Sequence, residues 1–355
     1  MTTVERLFDG PLDIVGDVHG QLDALRDLVG QLNYAPDGSH PDGRKLVFVG
    51  DLVDRGPDSP GVVERVMNMV NAGNAQCILG NHELNIVRDS RKLDNHWFFN
   101  ECTSSENEQP TLSVQQKEII RCFFKELPLA LERDDLRIIH ACWHRESIAL
   151  LERRSDVSSD IGNEYRRFRS EADRDLKSSG VLERYRKEQE LFGEYVRYGH
   201  NDPGEHWQQP RLLEGYAAVN EARQMGNPIA VLTSGQERAA TKTYPAGGKF
   251  RFVDRVAWWN NYRDEQAVII GHYWRLYNFE IVKRPRASGI DVFEGTKPDQ
   301  WLGPRKNVYC VDFSVGGRGK DFSSDVCRLA AVRWPEATVM FDNGAEMATD
   351  YVDHS

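Results

Sequence analysis

Gly16-Asp17-Val18-His19-Gly20 follows the apolar-rich run 12–15, Gly50-Asp51-Leu52-Val53-Asp54-Arg55-Gly56 follows 45–49, and Gly80-Asn81-His82-Glu83 follows 77–79. Each stretch is a glycine-punctuated turn placed where a strand is expected to end. Each presents Asp, His or Asn at that point. Side chains of this kind, gathered from several strand ends, supply the oxygen and nitrogen donors that divalent metals take.

Working outward, residues 23–32 read as an amphipathic helix, with Leu22, Leu25, Leu28, Val29 and Leu32 at helical spacing. Residues 33–43 form a turn-rich loop. Residues 60–72 read as a second helix, with Val62, Val63, Val66, Met67 and Val70 facing inward. Strand, helix, strand, helix, strand is the order of a sheet with parallel neighbours, giving an α/β class. Open sheets of that kind carry ligands beyond the strands' C-terminal ends, where all three turns sit. Two later strands, 136–139 and 267–270, end at His140 and in Gly271-His272-Tyr273-Trp274.

Between them, residues 151–200 hold 11 acidic and 11 basic side chains, with Leu182, Tyr185, Leu191 and Tyr195 at helical spacing. This predicts a charged helical insertion or cap over 151–225, set within one catalytic domain made of 1–150 and 226–355. Strands 308–313, 327–332 and 337–341, with turns at Gly316-Gly317-Arg318-Gly319 and Asp342-Asn343-Gly344, suit an antiparallel sheet closing the core.

At 355 residues, 40% hydrophobic and 28% charged, the chain can bury one large core. The net charge of −10 disfavours a sequence-independent nucleic-acid binder. No apolar run approaches the ~20 residues of a membrane span, and Met1–Arg6 lacks the layout of a signal peptide, so no membrane partner and a cytoplasmic location are expected. The six cysteines (Cys77, Cys102, Cys122, Cys142, Cys310, Cys327) show no CxxC spacing and read as reduced, mostly buried thiols.

Taken singly, Gly-Asp-x-His-Gly occurs by chance, Gly-Asn-His-Glu could open a helix, and Gly-Asp-x-x-Asp-Arg-Gly could be an Asp-rich turn. Three charged residues beside an apolar strand are costly to bury without a purpose, and all three stretches occur in order. Their order and spelling resemble the phosphoprotein phosphatase family of calcineurin-like metallophosphoesterases, which includes bacterial serine/threonine phosphatases and diadenosine tetraphosphatases. The resemblance is strong over 12–88 and local around 136–143 and 268–274.

The resemblance implies two central mixed β-sheets flanked by helices, and a binuclear centre of two divalent ions: manganese first, with iron or zinc as alternatives. Carried across residue by residue, Asp17 and His19 would bind the first metal, Asp51 would bridge, and Asn81, His140 and His272 would bind the second. His82 would be the general acid with Asp54 its carboxylate partner, and Arg55 would grip the phosphate. The implied reaction is attack of metal-activated water on a phosphoester. The family also uses a second arginine between the late histidines. Arg255 is the first candidate, with Arg238 and Arg251 as rivals.

Two substrate classes compete. Gly-Asn-His-Glu resembles the protein-phosphatase spelling and favours a phosphomonoester, on a phosphorylated protein or a small molecule. A cap over the site, and the late Gly-His-Tyr-Trp, which departs from the family's usual stretch, leave a dinucleoside polyphosphate as the alternative. His144, four residues after His140, is a candidate neighbour of the site, Cys142 is a candidate buried thiol, and Trp258, Trp259 and Trp274 are candidate pocket walls. A non-catalytic phospho-binding scaffold would lack His82, Asp51 or Asn81, and all are present.

Overall fold

Strand 12–15 sends alternate side chains to opposite faces, as a pleated strand must. Leu12 and Ile14 join one core, and Val15 joins another. The same split recurs at 46–49, where Leu46 and Phe48 face one way and Val47 and Val49 the other. A strand apolar on both faces has to be covered on both, and that requirement builds the layers.

The computed structural model describes residues 2–99, 109–154, 160–198, 212–245, 250–277, 290–318 and 323–352. In chain order the elements are β1 (Val4–Arg6), β2 (Leu12–Val15), α1 (Leu22–Gln31), β3 (Lys45–Phe48), α2 (Ser59–Asn71), β4 (Ala75–Cys77), α3 (Asn81–Val87), α4 (His96–Phe99) and α5 (Val114–Glu126). Next come β5 (Ala130–Glu132), β6 (Leu136–Ile139), α6 (Arg145–Arg153), α7 (Ile161–Ser178), α8 (Val181–Tyr198), α9 (Glu214–Met225) and α10 (Pro228–Ser234). The chain continues with β7 (Glu237–Pro245), β8 (Phe250–Arg255), β9 (Ala267–Ile270), β10 (Val308–Cys310), β11 (Ala330–Trp334), β12 (Thr338–Phe341) and β13 (Glu346–Ala348).

Two mixed sheets face each other. One runs β13-β12-β11-β2-β3-β4, and the other β1-β5-β6-β9-β10. β2, β3 and β4 are parallel, as the alternation of strands and helices predicts, and β11 closes antiparallel on β2. The core between the sheets holds Leu12, Ile14, Val47 and Val49 against Leu131, Ile138, Ile269 and Tyr309. Each such side chain contributes about 1.5–3 kcal/mol on burial.

Several expectations shift in detail. The strand at 308–313 is not part of the closing antiparallel sheet, because β10 pairs parallel with β9 in the other sheet. In α2, Met69 is fully buried while Met67 and Val70 only pack against the core, so the buried stripe turns by one position. The turn at Gly316 is a short 3₁₀ segment, Val315–Gly317, and Gly319, like Cys102, lies outside the described residues. Cys77, Cys142, Cys310 and Cys327 are buried and Cys122 is exposed, none of them in a disulfide.

The region 151–225 contributes α7, α8 and α9. Leu151, Ile161 and Phe168 join the main core, while Leu213, Tyr216 and Ala217 form a separate cluster with Phe250 and Phe252 of the two-stranded β7–β8 hairpin. Leu191 of α8 is exposed, against its place in the apolar pattern, and Tyr195's side chain lies outside the description. α7 is tied to α3 by Arg88, which lies 4.3 Å over the Tyr165 ring, and by Arg166, which donates to the Arg88 carbonyl at 3.2 Å. No described helix is long and apolar enough to cross a membrane.

Candidate active site

The turns after β2, β3, β4, β6 and β9 converge on the Asp51 carboxylate, which is 2% exposed. Its Oδ2 lies 3.8 Å from His19 Nε2 and 3.8 Å from His82 Nε2, and its Oδ1 lies 3.4 Å from His140 Nε2. Two constellations share it: His19, Asp51 and His82 on one side, and Asp51, His140 and His272 on the other. In each, one donor atom per residue falls within 4.8 Å of the others. Asp17 Oδ2 is 3.8 Å from His19 Nε2. Asn81 Oδ1 is 2.8 Å from His272 Nδ1 and 3.2 Å from His140 Nε2.

Backbone carbonyls set the tautomers. His19 Nδ1 faces the Val53 carbonyl at 3.0 Å, and His140 Nδ1 faces that of Val49 at 2.7 Å. Donation there leaves His19 Nε2 as a bare lone pair pointing inward, whereas His140 Nε2 faces Asn81 and Asp51. Burial lowers the His140 pKa, but Asp51 outweighs that and raises it to about 10, so a cation there must displace a proton. His19 Nε2 is buried and has no hydrogen-bond partner among the described residues. A buried lone pair without a donor is costly, and a cation on that side would remove the cost. Burial, reinforced by Arg55, pushes His19 well below its ordinary value, and burial with Arg255 does the same for His272. Both are therefore held neutral, the form that coordinates. Burial and the neighbouring Asp312 push Asp17 up, as expected where carboxylates crowd without a countercharge. The mixed oxygen and imidazole donor set thus fits divalent transition metals.

His82 sits differently. Its Nδ1 is 2.6 Å from Asp54 Oδ2, whose other oxygen accepts the Trp97 indole N–H at 2.7 Å. Burial lowers the His82 pKa, but Asp51 and Asp54 outweigh it and the net shift is upward. The free Nε2 edge lies 3.5 Å from Arg55 Nη2. Arg255 donates from Nη1 to the His272 carbonyl at 3.4 Å, which brings it beside the centre. Its rival Arg238 lies on β7 opposite Asp254, and Arg251 lies four residues back along β8.

Not every candidate gathers here. His144 caps α6, with Nδ1 2.8 Å from Ser147 Oγ and the ring accepting the Ser147 N–H, so its sequence proximity to His140 does not make it a neighbour of the centre. Trp258 and Trp259 are core residues. Trp258 donates to the Ala141 carbonyl at 2.8 Å, and Trp259 stacks on Phe293 at 5.7 Å. Of these three candidates only Trp274 reaches the site, its ring centroid 4.4 Å from the Arg55 guanidinium carbon.

Sequence reasoning missed the braces. Glu83 is fully buried, and its carboxylate accepts the N–H groups of Asp51 (2.9 Å), Leu52 (2.8 Å) and Gly80 (3.1 Å), locking two turns together. Asp312 accepts the N–H groups of Trp274 and Ser314, both at 2.8 Å. Glu83 stood inside a recognised stretch, and its distance from a polar partner in sequence hid its role. Asp312 stands in 309–317, a loose version of the family's Cys-Ile-Asp-Thr-Gly-like stretch, but with no role assigned to it there, and nothing in the sequence marked Trp97.

A family model described as calcineurin-like phosphoesterase matches residues 10–208, more than half of the chain, and the chain belongs to that family. Over 140 residues it is 36% identical to the asymmetrical bis(5'-nucleosyl)-tetraphosphatase PrpE of Oceanobacillus iheyensis, covering 37% of this chain and 54% of that one. Over 128 residues it is 31% identical to the symmetrical bis(5'-nucleosyl)-tetraphosphatase of Vibrio campbellii, covering 36% and 43%. The chain thus spans about half, or less, of the length of these curated relatives. A crystal structure of a cold-active protein-tyrosine phosphatase from a psychrophile Shewanella aligns over 98% of this chain and 82% of that one, with 13% identity and a TM-score of 0.46. Proteins of this family use a centre of two divalent ions, and the two constellations around Asp51 are candidate ligand groups for such a centre.

Proposed function

We propose that the chain hydrolyses a phosphomonoester, on phosphoserine, phosphothreonine or a small molecule, with His82 as the proton donor to the leaving group. In this reading Asp17, His19, Asp51, Asn81, His140 and His272 hold two divalent ions, of which manganese is the first candidate and iron or zinc the alternatives. When bound, such ions polarise the phosphoryl group and acidify water.

The chain's own residues do the rest. Asp51 stands between the two halves of the centre, its oxygens 3.4 Å from His140 and 3.8 Å from His19. Arg55 and Arg255 bring two guanidinium forks to bear on a phosphate, stabilising charge as it develops. Asp54 orients the His82 ring and favours its protonated form, leaving Nε2–H to meet the departing oxygen.

The observation that carries this reading is the 2.6 Å His82–Asp54 pair beside Asp51. A protonated imidazole contributes most where the leaving oxygen is strongly basic, as in an alkyl ester of phosphate. The alternative, a dinucleoside polyphosphate, is supported by the names of the two relatives, both bis(5'-nucleosyl)-tetraphosphatases. We further place 151–225 as a cap within a catalytic domain of 1–150 and 226–355. The packing of α9 on β7–β8 supports a cap seated on the hairpin of that domain.

One competition assay tests the substrate. The manganese-loaded chain receives equimolar phosphothreonine peptide and diadenosine tetraphosphate, with His82→Ala as blank and products read by mass spectrometry. Faster peptide dephosphorylation is expected, and faster nucleotide release would replace this reading with the alternative.

A further inference from the structure

The stretch Gly271-His272-Tyr273-Trp274 departs from the family's usual spelling, and its two aromatic residues have no part in the chemistry above. Their placement is specific. The Arg55 guanidinium carbon lies 4.4 Å from the centroid of the Trp274 ring, and that of Arg255 lies 5.4 Å from the centroid of Tyr273. Each arginine that flanks the centre therefore rests on one ring of the pair that follows His272.

The backbone makes this possible. His272 and Trp274 both have positive φ, 68° and 50°, with Tyr273 between them. The alternation sends Tyr273 into the core at 2% exposure and leaves Trp274 part-exposed at the site. Every N–H of the turn is held. His272 donates to Asp17 (3.1 Å), Tyr273 to the Gly271 carbonyl (2.8 Å), Trp274 to Asp312 Oδ2 (2.8 Å) and Arg275 to the Asp312 carbonyl (2.8 Å). The rings are thus fixed to the same turn that presents His272.

Arg55 needs such a support. Its only described ion-pair partner, Asp94, is 3.9 Å from Nε. Nε and Nη1 are buried and have no hydrogen-bond partner among the described residues. Among those residues Nη2 reaches only His82 Nε2, at 3.5 Å, so a guanidinium with so few polar partners has to be oriented through its face. A planar cation over an indole does that without consuming a donor.

We propose that Tyr273 and Trp274 are the positioning residues of the phosphate clamp, Trp274 holding Arg55 and Tyr273 holding Arg255, so that one turn aligns a metal-site histidine and both guanidinium groups toward a dianionic phosphoryl group. The inference rests on the reading of Arg55 and Arg255 as phosphate-gripping residues.

The test compares Trp274→Phe with Trp274→Leu in the manganese-loaded full chain. The probe is inorganic phosphate, read as its inhibition constant against an aryl phosphate, with kcat and KM separated and manganese content measured. Phe keeps an aromatic face and holds phosphate inhibition within about twofold, while Leu keeps bulk but not the face and weakens it about three- to tenfold, through KM and with manganese content unchanged. Added to Arg55→Ala, Trp274→Leu has no further effect. Equal phosphate inhibition in the Phe and Leu variants overturns the proposal, as does loss of manganese in Trp274→Leu alone, which would assign the ring to the His272 turn. If Arg55→Ala itself leaves phosphate inhibition unchanged, the reading of Arg55 fails first. If Arg55→Ala weakens it and Trp274→Leu does not, the grip stands and the platform falls.

Discussion

Replacing His82 by Ala separates proton donation from metal binding. The imidazole is 7% exposed, is bonded to Asp54 at 2.6 Å and stands 3.8 Å from Asp51, beside the centre but outside the proposed ligand set. Loss of a positioned general acid costs about 10²–10⁴ in rate, or about 3–5 kcal/mol at about 1.36 kcal/mol per decade. That full loss is expected on a phosphothreonine peptide, whose leaving alkoxide must be protonated. On an aryl phosphate with an electron-withdrawing ring the loss should stay below about tenfold, because that leaving group departs without a proton. The fold should survive. Asp54 keeps the Trp97 N–H at 2.7 Å, and the broken bond costs about 1–3 kcal/mol. The assay is kcat/KM on both substrates with manganese-loaded protein, alongside elemental analysis and a melting curve. Equal losses on the two substrates, with two ions still bound, would refute the general-acid assignment.

Other outcomes follow from the braces and the packing. Glu83→Gln leaves a single oxygen for the three N–H groups that the carboxylate now accepts, so metal affinity should fall about 10- to 100-fold, read by titration of the metal-free protein. In Gly271→Ala the new methyl would lie 2.1 Å from Asp17 Oδ1 and 2.8 Å from Val49 Cγ2. Loss of stoichiometric metal and about 1–3 kcal/mol of stability are expected, checked by elemental analysis and denaturant unfolding. Away from the centre, burial alone would raise the Asp264 carboxyl, but its bonds from Arg137 (2.5 Å) and Arg145 (2.9 Å) outweigh that and hold it below the ordinary carboxylate value. A depressed carboxyl stabilises the fold above its unfolded pKa and loses that contribution as pH falls through the folded one. Asp264→Asn should therefore lower Tm at neutral pH, with the gap to wild type closing below about pH 4 in melting curves.

How far the sequence discloses this site depends on distance along the chain. β2, β3, β6 and β9 are short apolar runs, and the donor residues follow directly, so period and punctuation alone place Asp17, Asp51, His140 and His272 at strand ends. Parallel β2–β3–β4 follows from the alternation with α1 and α2. Contacts across long separations were not legible. Trp97 meets Asp54 across 43 residues, and His272 N–H meets Asp17 across 255. β10 joins β9 because the inter-sheet core takes Tyr309 beside Ile269, a three-dimensional fact with no local signature. His144 shows the reverse error. A histidine near a strand end looks like a site neighbour, but the start of α6 claims it as a cap.

The orientation of the donors depends on backbone strain that local propensity opposes. His19, Asp51, Asp54, Arg55, His272 and Trp274 all adopt positive φ, between 47° and 72°. For residues with a Cβ that conformation costs on the order of 1–3 kcal/mol each. Six such residues in one site cannot arise from the turns' own preferences, so other groups must hold them. Glu83 holds the N–H of Asp51, Ser59 Oγ that of Asp54, Asp17 that of His272, and Asp312 that of Trp274. Each of these holding groups is itself buried. Three of the four, Glu83, Asp17 and Asp312, are carboxylates crowded near Asp51, and burial pushes all three upward. Divalent ions at the centre would relieve that crowding. Metal binding and backbone strain are therefore coupled, and the metal-free protein should hold these turns less firmly than the loaded one.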